Sequence, residues 1–222
     1  MIYLGGGGSS TDEAAVFSAA FHPPARIVIW PWAQPSHRWD GMKSWIQSSV
    51  EPLGSFPPVT IGHAPDFGLD TADIIVIPGG NTFLLLQELQ RYGLLHRLRG
   101  FVSKGGRVYG GSAGAVIQGA DIGIIDEKAG GMDVNEGVVD LKGLDFLSGW
   151  VVFPHYGEEW KAHCERWSRE KGVCVLGIAE RGGLEVGDGR AVNLGPEDVW
   201  MFGNGRMERW VAGEERVLGS GM

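Results

Sequence analysis

The sequence predicts an α/β fold in which a doubly wound, mostly parallel sheet carries helices on both faces. Short apolar runs recur along the 222 residues, each ending at glycine or another turn residue, as buried parallel strands do. Segments with helical spacing lie between them, and strand–helix alternation predicts βαβ units. No linker divides the chain and 43% of it is hydrophobic, so we expect one domain over residues 1–222.

Each element of this fold has its own segment. The apolar runs that predict strands are Met1–Leu4, Arg26–Trp30, Ile74–Ile77, Arg107–Tyr109, Val151–Phe153 and Val173–Ile178. The segments that predict helices are Thr11–Phe21, Asn81–Leu95, Leu98–Lys104, Ala113–Gln118 and Glu158–Lys171. Gly183–Val217 has short alternating runs instead, which predict a small antiparallel addition at one edge of the sheet.

Composition limits the function classes. A net charge of −8 argues against a general nucleic-acid binder. No apolar run approaches the roughly 20 residues that span a bilayer, and no signal-peptide pattern is present. Together with Cys164 and Cys174, which we expect to be free thiols, this predicts a cytoplasmic protein without membrane contact.

Tryptophans cluster in one region, at positions 30, 32, 39 and 45. One interpretation is packing around the second strand. The other is an apolar wall near a cleft or a homodimer surface, because aromatic residues are enriched at interfaces.

The segment that indicates chemistry is Gly110-Gly111-Ser112-Ala113-Gly114, which follows the strand Arg107–Tyr109. It matches G-x-S-x-G, the nucleophile elbow in which a serine occupies a sharp strand-to-helix turn. Small flanking residues avoid clashes there, and the N–H of Ala113 would face a developing oxyanion. The pattern also arises by chance among 37 glycines, so the preceding strand is what favours a serine hydrolase.

A second glycine turn, Pro78-Gly79-Gly80-Asn81-Thr82, follows the strand Ile74–Ile77. Both turns would open at the carboxyl edge of the sheet, where ligands bind. The N–H of Gly79 or Gly80 could be a second oxyanion donor. The alternative is an ordinary turn in which Asn81 or Thr82 caps a helix.

A serine nucleophile needs a base, and His155 is the favoured one of six histidines because it follows the strand Val151–Phe153 and one proline. That places it beyond a strand end, as Ser112 is. The carboxylate that would orient the imidazole stays open, because many acidic residues lie between the two. The glycine run Leu4–Ser10 lacks a P-loop ending, so we interpret it as a tight turn lining the cleft rather than a phosphate site.

Four segments in this order resemble the dipeptidase E and cyanophycinase family of serine peptidases. They are Pro78–Phe83, Gly111–Ala115, Phe153–Tyr156 and Leu176–Glu180. The resemblance implies a class I glutamine amidotransferase-like fold with serine where amidotransferases carry cysteine. It implies Ser112 as nucleophile, His155 as base, and the N–H groups of Ala113 and Gly80 as the oxyanion hole.

The resemblance also implies a third triad member about fifteen to eighteen residues after the serine. Glu127 lies 15 residues after Ser112 and is the choice, with Asp126 next. Glu180 matches a later family glutamate, which either supports the active-site turns or orients the histidine instead.

The function that follows is a serine-type peptidase of short peptides, a dipeptidase E-like aspartyl dipeptidase that forms an acyl-enzyme. We expect Gly79, Asn81, Thr82 and Tyr156 to contact the peptide, and no metal or cofactor to be needed. The chain departs from dipeptidase E after the histidine, where Gly157–Lys161 replaces an arginine-bearing loop. The alternatives are a cyanophycinase-like isoaspartyl peptidase and a non-catalytic binding or regulatory protein.

Overall fold

The computed structural model describes residues 1–64 and 66–218. The strands within these residues are β1 (Ile2–Gly5), β2 (Ile27–Ile29), β3 (Thr60–Ile61), β4 (Ile74–Ile77), β5 (Arg107–Gly111), β6 (Val151–Phe153), β7 (Val175–Ile178), β8 (Gly183–Gly187), β9 (Arg190–Asn193), β10 (Val199–Gly203), β11 (Arg206–Trp210) and β12 (Glu215–Val217). The α-helices are α1 (Ala14–Ala20), α2 (Trp39–Val50), α3 (Thr82–Arg91), α4 (Leu94–Ser103), α5 (Ala113–Val116) and α6 (Lys161–Lys171).

The large sheet has the strand order β12-β9-β8-β1-β5-β4-β2-β3. The strands from β1 to β3 in this order are parallel, whereas β8 runs antiparallel to β1. The register pairs Gly5 with Gly111 and Ile77 with Gly110. The carboxyl ends of β1, β4 and β5 therefore open together at one edge, where ligands bind in doubly wound sheets.

Both faces of this sheet are covered, which confirms the predicted fold class. Alternate residues of β2 belong to different sides: Ile27 and Ile29 pack with residues of α1 and α2, whereas Val28 packs with residues of α3 and α4. The residues of β4 alternate in the same way, and Ile75 and Ile77 pack on the side of α3 and α4. Strands buried on both faces are apolar at every position, which is why the apolar runs marked them in the sequence.

The prediction that all six apolar runs belong to one sheet needs correction. β6 and β7 form a second, four-stranded sheet with the order β11-β10-β7-β6. β1 has β5 on one side and the antiparallel β8 on the other, so neither of its edges is open to β6 or β7. The C-terminal residues consequently divide between the sheets, because β8, β9 and β12 extend the first, while β10 and β11 extend the second.

Helix α2 is absent from the sequence prediction, although its buried face carries Met42, Ile46 and Val50 at helical spacing. Of the clustered tryptophans, Trp30 and Trp32 are buried, whereas Trp45 on α2 keeps 36% of its surface exposed. Both cysteines are buried free thiols. Across the described ranges, no helix combines the length and the apolar character that crossing a bilayer requires.

Candidate active site

Ser112 lies between the end of β5 and the start of α5. Its φ of 52° and ψ of −116° are a conformation that residues with side chains seldom adopt and that costs energy. The carbonyl of Ser112 accepts from the N–H groups of Ala115 and Val116 at 2.8 and 3.0 Å. The turn is thus fixed by the helix that it starts.

The glycines on either side of this turn are required by close backbone approach. A Cβ at Gly110 would lie 2.1 Å from the carbonyl oxygen of Gly114. A Cβ at Gly114 would lie 1.8 Å from the carbonyl oxygen of Ile77 at the end of β4. Only glycine at both positions lets the turn pack against the neighbouring strand.

His155 faces this serine from the end of β6. Its Nε2 lies 2.9 Å from Oγ of Ser112, and its backbone N–H donates to the carbonyl of Gly6 at 2.9 Å. The residue has a positive φ of 51°, which turns the chain at this point. The structure therefore brings together the serine and the histidine that the sequence singled out.

The other imidazole nitrogen faces Glu180, which follows β7. Nδ1 of His155 lies 3.1 Å from Oε1 of Glu180, with 31% and 64% of the two side chains exposed. Glu127, which the resemblance implied for this position, lies exposed on the 3-10 turn Glu127–Ala129. Asp126 caps that same turn by accepting from the N–H of Lys128 at 3.0 Å. Of the three carboxylates considered from the sequence, the structure brings Glu180 to the histidine, because β7 ends beside His155.

Gly80 and Ala113 line a cavity of about 170 Å³ together with Ser112 and His155. The carbonyl of Gly79 accepts from the Gln34 amide at 2.8 Å. Because C=O and N–H point opposite ways across a trans peptide, the N–H of Gly80 points away from Gln34. Within residues 1–64 and 66–218, neither Gly80 nor Ala113 donates a backbone hydrogen bond.

Four further residues were expected at the substrate, and the structure separates them. Gly79 is beside the serine, since a Cβ there would lie 3.1 Å from Cβ of Ser112, and Thr82 is buried at the small cavity. Asn81 caps α3 by accepting from the N–H of Leu84, which was the alternative interpretation. Tyr156 is buried against Phe202 and lines neither of the cavities beside Ser112, because the chain turns inward after His155.

Asp133 is a site residue that the sequence did not distinguish from other acidic residues. It lines the small cavity, and its Oδ2 accepts from the N–H of Thr82 at 2.8 Å. Its own N–H donates to the carbonyl of Ile125 at 2.8 Å. Nothing in its spacing indicates this role, since only the folded loop brings it to the serine.

A second cavity, of about 390 Å³, also has Ser112 in its lining. Gly7 and Gly79 line it beside the serine, and Arg38, Met42 and Trp45 line it from α2 and the residue before it. Ser112 is therefore the residue that the linings of the small and the large cavity share.

Glu13 lies at the base of the larger cavity and is 1% exposed. Its carboxylate accepts from the N–H of Gly7 at 2.6 Å and from the hydroxyl of Tyr109 at 2.5 Å. Burial raises the pKa of Glu13 from its ordinary value of 4.5 to about 7, against the opposing effect of these hydrogen bonds. This carboxyl ties the glycine turn after β1 to β5.

The arrangement has the parts of a nucleophilic acyl-transfer site. A carboxylate on Nδ1 favours the tautomer in which Nε2 accepts the serine proton. Gly80 and Ala113, whose N–H groups find no backbone acceptor in the described part of the chain, line the same cavity as Ser112, and unpaired N–H groups beside a nucleophile are what oxyanion stabilisation uses.

Comparisons with known proteins point in the same direction. The model of peptidase family S51 matches residues 24–194. Peptidase E of Salmonella typhimurium LT2 is 29% identical over 205 residues, which cover 86% of this chain and 82% of the relative. Peptidase E of Salmonella arizonae has the same identity and coverage.

Two solved structures share the fold. A candidate peptidase E protein from Listeria monocytogenes EGD-e matches with a TM-score of 0.68 and 22% identity, over 86% of this chain and 96% of that one. A peptidase from an acI-B1 actinobacterium matches with a TM-score of 0.71 and 17% identity, over 97% and 96%.

Proposed function

The chain belongs to peptidase family S51, and on that premise we propose that it hydrolyses short peptides with Ser112 as nucleophile, through an acyl-enzyme. The observation that carries this proposal is the 2.9 Å approach of Ser112 Oγ to His155 Nε2 on a strained strand-to-helix turn. Strain at such a turn is typical of a residue held for function.

His155 carries a proton in each half of the reaction. It takes the proton of Ser112 as Oγ attacks the peptide carbonyl, and the N–H groups of Ala113 and Gly80 hold the resulting oxyanion. The C–N bond then breaks as His155 gives the proton to the leaving amine. Water then attacks the acyl-enzyme as His155 takes its proton, the C–O bond to Ser112 breaks, and His155 returns the proton to Oγ.

Glu180 is the third member of this triad in the proposal. Its 3.1 Å approach to Nδ1 holds the ring in one tautomer and stabilises the imidazolium that forms during each step. Because 64% of the Glu180 side chain is exposed, solvent screens this interaction more than in a buried triad.

The volume and the charge of the small cavity support the proposal that this peptidase is an exopeptidase, which recognises the free amino terminus of its substrate. Its volume of about 170 Å³ has room for little more than one residue, and Asp133 supplies a carboxylate beside the nucleophile. An α-ammonium group is the cation that a peptide's first residue brings to such a carboxylate.

The charged residues in the lining of this cavity also indicate which side chain the first residue of the substrate carries. Within the described ranges its lining includes no lysine or arginine, which would be the partner of an aspartyl side chain. The geometry therefore supports a small, uncharged first residue better than the aspartate that the resemblance implies.

A dipeptide screen tests this function. The set contains free and N-acetylated forms of each peptide, with Asp-X and β-aspartyl members included. We expect the wild-type protein to cleave free dipeptides, to leave the acetylated forms, and to lose this activity in Ser112→Ala. Preferred cleavage of β-aspartyl peptides would favour the isoaspartyl peptidase, and no cleavage of any peptide would overturn the proposal.

A further inference from the structure

One face of helix α2 is turned toward the larger cavity beside Ser112. Arg38, Gly41, Met42 and Trp45 all line it, and their spacing of three, four and seven residues places them on one side of a helix. The surface that they form is part apolar and part cationic. None of these four residues takes part in the hydrogen bonds that join Ser112, His155 and Glu180.

Arg38 is the cationic part of this face. The residue is exposed, and among residues 1–64 and 66–218 it has no ion pair. The cavity's own acid, Glu13, is engaged by Gly7 and Tyr109 instead. The guanidinium is therefore available to an anionic group of a ligand, which it can bind with two parallel hydrogen bonds.

Trp45 and Met42 are the apolar part. The Trp45 ring packs edge-on against Phe17, with ring centroids 6.1 Å apart and an interplanar angle of 75°, and 36% of the residue stays exposed. Met42 is 8% exposed and lies one turn earlier. Together they offer a surface against which an apolar side chain loses contact with water.

Gly41 leaves the space between these side chains open. A Cβ at this position would meet no atom within 4 Å. Because the glycine is helical, a larger residue there would enter the cavity without straining the backbone.

The larger cavity also reaches the nucleophile, since Ser112 is part of its lining. Gly7 lines it, and a Cβ on Gly7 would lie 2.5 Å from Nε2 of His155. His155 itself is part of the lining of the small cavity, and its Nε2 lies 2.9 Å from Oγ of Ser112, the residue that both cavities share. The small cavity with Asp133 remains for the residue that carries the free amine.

From this arrangement, and resting on the proposed function, we propose that the larger cavity binds the second residue of a dipeptide. Its free carboxylate is bound by Arg38, and its bulky apolar side chain packs against Trp45 and Met42. Hydrolysis then releases this residue as a free amino acid, after His155 has protonated its nitrogen. The substrate class is dipeptides with an unblocked carboxylate and a large apolar second residue.

The carboxylate is tested with paired probes that share the first residue selected by the dipeptide screen. One probe ends in leucine and the other in leucinamide. We expect kcat/KM of the wild-type protein to favour the leucine probe by about tenfold or more, since a charge-assisted hydrogen bond is lost with the amide. In Arg38→Gln this preference should fall to near one.

The side-chain site is tested with Gly41→Leu, which fills the open space. Gly100→Leu is the matched control, because Gly100 is also helical, also has no atom within 4 Å of a built Cβ, and lies on α4 outside the cavity. We expect Gly41→Leu to lower kcat/KM for probes ending in leucine or phenylalanine by about tenfold or more relative to probes ending in glycine. Gly100→Leu should keep the wild-type ratio.

The results separate this inference from the proposed function. If the wild-type protein cleaves dipeptides through Ser112 but Arg38→Gln keeps the preference for the carboxylate, the assignment of Arg38 is overturned. Equal losses on all probes in Gly41→Leu would overturn the side-chain site. If no variant or wild-type protein cleaves any dipeptide, the proposed function itself fails, and this inference fails with it.

Discussion

The backbone of Gly7 supports the ring of His155. A Cβ at position 7 would lie 2.4 Å from Cε1 of the imidazole and 3.0 Å from Cβ of Ser112. The glycine turn after β1 is therefore part of the catalytic geometry, since any side chain there would occupy the place of the histidine. Its link to Glu13 through the 2.6 Å hydrogen bond holds this surface in position.

Gly7→Ala should displace His155 and lower kcat/KM by at least about tenfold, because misplacement of a catalytic group by about 1 Å is costly. Gly105→Ala is the matched control. The φ values are similar, 102° at Gly7 and 93° at Gly105, but no atom lies within 4 Å of a Cβ at position 105. Both variants should lose about 1 kcal/mol of stability to strain, and equal activities would show that Gly7 does not position the histidine.

Glu180→Gln should lower kcat by about tenfold or more, because the amide cannot stabilise the imidazolium. Glu127→Gln, which alters an exposed 3-10 turn away from His155, should change kcat by less than about twofold. Steady-state kinetics on one dipeptide, with circular dichroism to check folding, compares the two. The reverse order of effects would return the third triad position to Glu127.

The raised pKa of Glu13, from 4.5 to about 7, predicts a pH-dependent stability. The folded state binds the proton more tightly than the unfolded state, so this contribution is fully present below about pH 4.5. It declines as pH rises toward 7 and is constant above that value. Glu13→Gln should remove this slope, which amounts to at most about 3 kcal/mol.

Urea unfolding at pH values from 5 to 8 measures the effect of Glu13. The difference in free energy of unfolding between the wild-type protein and Glu13→Gln should fall steadily up to about pH 7 and then level off. A difference that stays constant over this range would mean that Glu13 does not titrate there.

Asp133→Asn tests recognition of the amino terminus. The variant keeps an oxygen that can accept from the N–H of Thr82, as Oδ2 does at 2.8 Å, but it loses the charge that faces the small cavity. The preference for free over N-acetylated dipeptides should fall by about tenfold, since a charge-assisted hydrogen bond is removed. An unchanged preference would assign the ammonium group to another residue.

The elements that the sequence predicted well are those whose pattern reflects burial alone. β4 and β6 have the bounds of their apolar runs, since a strand buried on both faces has no polar position. The pairing of β6 with β7 in a second sheet was not predictable in this way. It depends on β8 taking the free edge of β1, and an apolar run does not specify its neighbour.

The same distinction holds for the residues of the candidate site. Ser112 and His155 could be selected because Ser112 directly follows a buried strand and His155 follows another after one proline, and ligands bind beyond the carboxyl ends of such strands. Glu180 was an alternative that came only from the resemblance, and Asp133 was not distinguished from other acidic residues. Both lie outside helices and strands, where many acidic residues are equivalent in sequence and the fold decides which of them lies beside His155 or the small cavity. Helix α2 was not predicted because Gly41 and three serines lower the helix propensity of this segment.

The central claim is that Ser112 is the nucleophile, and covalent labelling with a fluorophosphonate probe tests it most directly. Intact-protein and peptide mass spectrometry should find one adduct, on Ser112, which is absent from Ser112→Ala and forms far more slowly in His155→Ala. A correctly folded wild-type protein that stays unlabelled, or a Ser112→Ala variant that is labelled at the wild-type rate, would contradict the account.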